Sequence, residues 1–527
     1  MEMIRQTPAT DLRRKLFANS ALMLVCRVVT IIVSLISVPI IVSNLGLGGY
    51  GTWEAILAVS ALSTVFQGAV SGTLLWRMSA TYGTGDSAEA RRLVRLGTAA
   101  SVSLFVLVVP PVWALRGSLV QILNIPPAYA SSAAWVLSGI VAVMTLGGIN
   151  ETLGAMLGGY QRAGVASLIQ SGQLVLINLI AILGLLMGFE LWSMLLAYVS
   201  GFLFSLVASF FCASATCGRI NLLPMLPTRH DVRTISGYAG LLLVGQVSGV
   251  LRDQTDKVVL AALASPTWVG LYGIAVRLAS LVLMIAILFY SPLAAAAGAM
   301  NAAGDWKGVR RLYSNVITIL AVCGGATAVL VGGLYDRIVV LWMGHGIPGV
   351  GPILLVLLFG NTAAMVLTGA GTSLCKGVGR VGIDTVYTSF SLLSNLLLKV
   401  VLIAAMGAMG SVISSSASWA MASLLFVFLL HRSLDLPREA TRRALLSLVL
   451  ATLVVILGRV ISAYVSPITG RLAAFWSVAG LGTILLSVYF LLMVICGGMS
   501  LRSLQHYGQR AYARLLGSAS NQQKREA

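Results

Sequence analysis

The chain has 527 residues, 58% of them hydrophobic and only 10% charged, with a mean hydropathy of +0.94. No soluble protein of this length hides that much apolar surface, so the composition excludes a water-dissolved globular domain and points to lipid as the solvent. A net charge of +19 invites a nucleic-acid reading, but the positions of the charges assign it to membrane topology instead.

A membrane span needs roughly 20 apolar residues to cross a hydrocarbon core of about 30 Å. In chain order the sequence offers 14 such stretches: 17–44, 50–78, 94–115, 131–156, 164–188, 190–213, 236–263, 267–295, 312–335, 350–373, 382–406, 408–430, 443–465 and 472–496. Arg5, Arg13, Arg14 and Lys15 precede the first, which has no small-residue cleavage pattern and reads as a retained helix. After span 2 comes Gly85-Asp86 to Arg91-Arg92-Leu93, and after span 8 the same string returns as Gly304-Asp305 to Arg310-Arg311-Leu312, 219 residues on. At that offset Gly51 falls on Gly270, Trp53 on Tyr272 and Leu62 on Leu281. A second string, Gly-x-x-Arg-x-Gly, follows span 4 at Gly159/Arg162/Gly164 and span 10 at Gly377/Arg380/Gly382. Matched strings in one order predict an internal duplication of about 220 residues, as in transporters whose two halves rock about a site.

The predicted fold is therefore an all-α polytopic membrane protein of about 14 transmembrane helices. Two pseudo-symmetric six-helix lobes, an N-terminal one at 1–234 and a second at 235–435, precede two extra helices and a basic tail at 436–527. Of the 35 lysines and arginines, three (Arg116, Arg337, Arg471) fall in odd-numbered loops and six within spans; the remaining 26 lie in the termini and even-numbered loops. This positive-inside pattern places both termini in the cytoplasm. The arginine pairs of the repeated string read as basic interfacial segments that fix orientation, not as catalytic groups.

Charges inside spans each cost roughly 2.5–3.5 kcal/mol at a helix centre, so they are the informative residues. Glu54 and Arg459 sit near span ends, where snorkelling keeps them wet. In span 7, Arg252/Asp256 and Asp253/Lys257 are opposite charges four residues apart, which can neutralise each other on the helix or face a lumen. Arg27, Arg277 and Lys399 have no acid close by in sequence, so they point to an aqueous path. Arg27 aligns with Gln246 across the repeat, also polar. Together Arg27, Arg252, Lys257, Arg277 and Lys399 form the candidate cationic cavity for substrate. Glu151, Asp253 and Asp256 are the candidates for ion coupling, Glu151 first because no basic residue lies within four positions.

Other signals fail. Gly377-x-Gly379-x-x-Gly382 follows a membrane helix and no strand; there is no phosphate-binding Gly-Lys-Ser/Thr loop; four histidines and six cysteines make no metal or disulfide spacing. The reading is a transporter without cofactor or metal, not an enzyme.

The run Asn19-Ser20, Val38-Pro39-Ile40-Ile41, Asn44-Leu45-Gly46 and Tyr50-Gly51-Thr52-Trp53 resembles polysaccharide flippases of the Wzx type. So do Asp253-x-x-Asp256 with Leu271-Tyr272 and the string at Gly304. These flippases belong to the multidrug/oligosaccharidyl-lipid/polysaccharide exporter superfamily. The resemblance implies transfer of undecaprenyl-diphosphate-linked oligosaccharide repeat units, as for O-antigen or exopolysaccharide, from the cytoplasmic to the periplasmic leaflet of the bacterial inner membrane. It implies membrane lipid, a glycan polymerase and a chain-length regulator as partners, and no nucleic acid. The alternatives are a lipid II flippase of the same superfamily, an ion-coupled multidrug exporter, and, from another class, a membrane glycan polymerase or ligase. Of these, the exporter calls for an acidic lumen and the polymerase for a long periplasmic loop.

Overall fold

The computed structural model describes residues 9–465 and 469–497. These form α1 (Ala9–Leu62), α2 (Val65–Thr84), α3 (Ser87–Ile122), α4 (Pro127–Leu146), α5 (Gly148–Gly159), α6 (Ala163–Leu186), α7 (Trp192–Cys217), α8 (Arg229–Leu263) and α9 (Pro266–Ala279). They continue with α10 (Leu281–Ala302), α11 (Trp306–Gly333), α12 (Tyr335–Met343), α13 (Val350–Gly377), α14 (Val381–Met406), α15 (Ala408–Ser433), α16 (Arg438–Tyr464) and α17 (Arg471–Ile495). No strand occurs among the described residues. Helices satisfy their own backbone donors and acceptors, which lipid cannot do for them.

Twelve helical stretches among the described residues are long and apolar enough to cross a membrane. The other two predicted spans are recognisable but modified. Span 2 is shared between the end of α1, beyond a kink at Gly46 (φ 69°, ψ 175°), and α2. The break between them is closed by the hydroxyls of Ser63 and Thr64, which donate to the carbonyls of Ser60 at 2.6 Å and Ala61 at 2.8 Å. Span 7 is α8, which carries Arg252, Asp253, Asp256 and Lys257 in its second half. The polar tail after 497 lies outside the described residues, as do the basic residues Arg5 and Arg502.

The chain divides into two compact units, one of residues 1–277 with 388–418, the other of 278–387 with 419–527. In the first, α6 packs on α1 and α7, α2 on α5 and α8, and α3 on α4. Leu74, Met78, Leu93, Leu153 and Met156 form part of its core. In the second, α11 packs on α13 and α16, α10 on α13, and α12 on α17. Val329, Leu450, Val454, Leu485 and Tyr489 join the last two helices to α11, so spans 13 and 14 are part of this unit's core. These units follow packing, whereas the lobes expected at 1–234 and 235–435 follow sequence repetition and stay a proposal.

The repeated strings adopt one local structure twice. Gly85 (φ 74°) and Gly304 (φ 73°) both take the left-handed conformation that ends a helix, where a Cβ would be strained. The next residue caps the following helix in each copy: the Asp86 carboxylate accepts from Ala88 and Glu89 N–H, and Asp305 from Gly308 N–H. Asp86 N–H also reaches back to the Thr81 carbonyl at 3.1 Å and Asp305 N–H to Met300 at 2.9 Å, five residues earlier in both. The second string matches too. Gln161 (φ 61°) and Gly379 (φ 78°) hold equivalent places, and Arg162 and Arg380 N–H each donate to the carbonyl five residues back at 2.8 Å.

A second observation bears on the duplication. Within the first unit, the α1 segment after Gly46 crosses α9 at Gly51 and Gly270, the two glycines paired by the 219-residue offset. A methyl on Gly51 would overlap the Pro266 carbonyl oxygen; one on Gly270 would overlap that of Leu47. Leu47 and Pro266 are themselves one offset apart. The contact is reciprocal, as required where a twofold passes between equivalent segments.

Candidate functional site

Two buried carboxylates of the first unit, Glu54 and Asp256, each centre a cluster of charged and polar side chains. After the Gly46 kink, α1 presents Tyr50 and Glu54 one turn apart on one face. Glu54 is buried and takes two cations: Lys257 Nζ of α8 lies 2.7 Å from Oε2, and Arg277 Nη2 of α9 lies 3.2 Å from Oε1. Tyr50 donates to Glu54 Oε1 at 2.9 Å while Arg277 Nε donates to the Tyr50 oxygen at 3.3 Å. Arg277 Nη1 reaches the Ser34 hydroxyl on the first segment of α1. One carboxylate thus faces two cations, and the cluster keeps a net positive charge.

The second cluster centres on Asp256, one residue away on α8 and so on a different face of that helix. Its carboxylate meets Lys399 Nζ of α14 at 3.1 Å. It also accepts from Tyr272 of α9 at 2.7 Å, and from Ser411 and Ser415 of α15 at 2.9 and 2.6 Å. Lys399 donates in turn to Asn395 Oδ1 at 2.7 Å, and Asn395 Nδ2 donates to Ser415 at 2.8 Å. Asp256 and Lys399 are both almost fully buried, at 1% and 4% exposure. A buried pair of this kind holds only when its remaining donors and acceptors are met, and here hydroxyls and an amide meet them.

Several expectations change on this evidence. The within-helix pairs Arg252/Asp256 and Asp253/Lys257 do not form: Arg252 bonds the neighbouring, half-exposed Asp253 at 3.1 Å, while Asp256 and Lys257 turn to Lys399 and Glu54. Partners on other helices reach the heads of these side chains with fuller donor sets than the next turn provides. Arg277 and Lys399, isolated in sequence, are ion-paired in space. Glu54 is not a wet residue at a span end, because the kink at Gly46 turns its segment inward under two cations. Arg459 does pair at the edge of the other unit, with Asp336 at 2.6 Å. Arg27 stands apart, exposed and with no hydrogen bond or ion pair to a described residue.

Glu151 belongs to neither cluster. It lies on α5, just past the break at Gly147, and lines a cavity of about 530 Å³ in the first unit. Gln67, Asn150, Gln170, Gln173, Tyr198 and Gln246 supply most of the polar lining. Gln67 spends its amide on the break, donating to the carbonyls of Met144 at 2.9 Å and Thr145 at 3.0 Å. Asn150 leaves its carbonyl oxygen buried and without a partner. Glu151 has no ion pair among the described residues, so it is the lone titratable carboxylate of an amide-lined chamber.

Sequence reasoning missed Tyr50, Tyr272, Ser34, Asn395 and the serines of α15. One signal was available. Ser411, Ser415 and Ser418 recur at four- and three-residue steps in an apolar span, which puts three hydroxyls on one helix face. Asn395 and Lys399 are likewise one turn apart on α14.

No protein-family model matches the sequence, and no curated protein matches it. Solved structures do. A multidrug-resistance MATE family transporter of the MOP superfamily, in an inward-facing conformation, aligns with a TM-score of 0.64 at 15% identity, over 77% of this chain and 94% of its own. The lipid II flippase MurJ, in an inward closed conformation, aligns at 0.69 and 13% identity, over 92% of this chain and 99% of its own. A MOP superfamily transporter from Pyrococcus furiosus aligns at 0.55 and 17% identity, over 80% of this chain and 95% of its own. The chain has the fold of the MOP superfamily transporters. Twelve helical stretches among the described residues, each long and apolar enough to cross a membrane, accompany that fold.

Proposed function

We propose that the protein is a flippase that moves undecaprenyl-diphosphate-linked oligosaccharide repeat units from the cytoplasmic to the periplasmic leaflet of the bacterial inner membrane by alternating access. The observation that carries this reading is the Glu54 cluster, in which one buried carboxylate faces both Lys257 and Arg277. A diphosphate is the kind of charge that a surplus cation in a membrane-embedded unit accommodates. Arg27, free of partners among the described residues, adds to that surplus; Arg252 and Lys399 supply their charge through carboxylate pairs. An exporter of cationic drugs calls for the opposite balance. The structural likeness to a lipid II flippase, whose fold spans nearly all of this chain, supports a lipid-linked headgroup and keeps lipid II as the second reading.

Of the carboxylates proposed for ion coupling, Asp256 already accepts from four side-chain groups and Asp253 is engaged by Arg252. Glu151, in a roomy polar chamber, is the one that a proton or sodium ion reaches without displacing a cation. The remaining partners proposed are a glycan polymerase and a chain-length regulator, which consume the product on the periplasmic side.

The test is reconstitution in proteoliposomes with fluorescent undecaprenyl-diphosphate oligosaccharide in one set and lipid II in another, scored by loss of access to an external glycosidase. Wild type is expected to move the oligosaccharide faster than lipid II, and Arg27→Gln to stop it while leaving protein yield unchanged. Faster movement of lipid II installs the second reading; movement of neither, with export of a cationic dye, overturns both. An imposed pH or sodium gradient that leaves the rate unaltered removes the coupling role of Glu151.

A further inference from the structure

The second unit holds a group of cations that the proposed transport does not use. Its centre is Arg337, on the short helix α12, only 4% exposed. No carboxylate lies within ion-pair distance of it among the described residues. Its guanidinium is held by two neutral hydroxyls: Nε donates to Ser477 of α17 at 2.7 Å, and Nη1 to Ser462 of α16. The one nearby carboxylate, Asp336, is taken by Arg459 at 2.6 Å, and Arg459 itself lies 4.0 Å from the centre of the Tyr335 ring. Arg471, at the start of α17, lies over Gly344, within 3.2–3.6 Å of where a Cβ there would stand. Arg337 and Arg459 thus flank the start of α12, and Arg471 stands at its end.

Arg337 lines a cavity of about 530 Å³ together with Tyr335, Asp336, Gly346, Ser462 and Val465. Close in sequence to Ser462 and Ser477 are exposed large side chains: Tyr464 at 88%, and Trp476 at 67% with its ring partner Phe475. Aromatic side chains of this type sit at the level of lipid headgroups. Two of the three cations found in odd-numbered loops, Arg337 and Arg471, stand at the two ends of α12, on the side where the charge pattern otherwise avoids positive residues.

We propose that this cavity binds the phosphate headgroup of an anionic phospholipid from the periplasmic leaflet. Arg337 and Arg471 supply the charge, the serines fix the guanidinium, and the aromatic rim receives the acyl-chain end. A buried cation held only by hydroxyls is short of its counter-ion, and a phosphodiester provides it with the acceptor oxygens that a guanidinium matches best. The inference stands apart from the transport reading, since it concerns a different unit and a resident lipid instead of a cargo.

Native mass spectrometry of the full chain in detergent tests it, with phosphatidylglycerol and phosphatidylcholine as probes and inorganic phosphate as competitor. Wild type is expected to retain phosphatidylglycerol preferentially. Arg337→Gln and, separately, the exposed Arg471→Gln are each expected to weaken retention about tenfold, the loss of one charge-assisted contact. Arg116→Gln serves as control, because Arg116 is another odd-loop cation but stacks on Trp113 and Trp135 with no such cavity. If Arg337→Gln fails to fold, Arg471→Gln alone decides. Equal retention of the two lipids, or unchanged retention in Arg471→Gln, overturns the proposal. So does displacement of the lipid by inorganic phosphate at matching concentration, which makes the occupant a free anion.

Discussion

At the scale of single residues, what decides the site is how few carboxylates answer its cations. Removing Glu54 leaves two partly buried cations without a carboxylate, whereas removing Lys257 leaves Glu54 with Arg277 and Tyr50. Glu54→Gln is therefore expected to lower the melting temperature more than Lys257→Gln does. Melting of the purified protein in detergent checks this, and equal losses would contradict the shared-carboxylate geometry. The pair Asp256–Lys399 behaves differently: either single neutralisation strands its partner, so Lys399→Gln combined with Asp256→Asn should melt higher than Lys399→Gln alone. The charges themselves were legible in the sequence, because ionised groups are rare in spans. Their partners were not. Glu54 and Lys257 are 203 residues apart, and Glu54 and Arg277 223, so local spacing carries no information about them.

At the scale of elements, the repeated strings are explained by chain reversal, not by chemistry. Their glycines end one helix in the left-handed conformation and their aspartates begin the next. The arginines that follow find local or tertiary anchors, Arg91 on the Cys217 carbonyl at 3.0 Å and Arg310 on Asp435. Asp86→Ala or Asp305→Ala should each cost about 1 kcal/mol and leave transport intact. Gly51→Ala and Gly270→Ala should cost more than either cap, because the added methyl meets backbone and not a movable side chain. Thermal melts of the four variants give the order; caps costing more than the crossing glycines would contradict it. The all-helical build was readable from apolar length, though 14 spans were expected and 12 span-competent stretches stand among the described residues. The break in span 2 was not, because Ser63 and Thr64 are tolerated in a helix as readily as they close its end.

At the scale of the whole molecule, 14 predicted spans and the distribution of lysine and arginine give one topology. Reporter fusions after Gly46, Ser265 and Gly407 are expected in the periplasm, and after Gly85 and Gly304 in the cytoplasm. All five positions fall at bends or between helices, where an insertion least disturbs packing. A swapped report at Gly85 or Gly304 alone would break the parallel arrangement of the copies. The crossing of Gly51 and Gly270 has a consequence for the history of the chain. Copies of a duplicated segment are ordinarily free to drift apart. At the seam they are not free: a side chain gained by either copy collides with the main chain of the other, at Pro266 or at Leu47. Each of the two segments acts there as the mould of the other, and neither glycine can change alone.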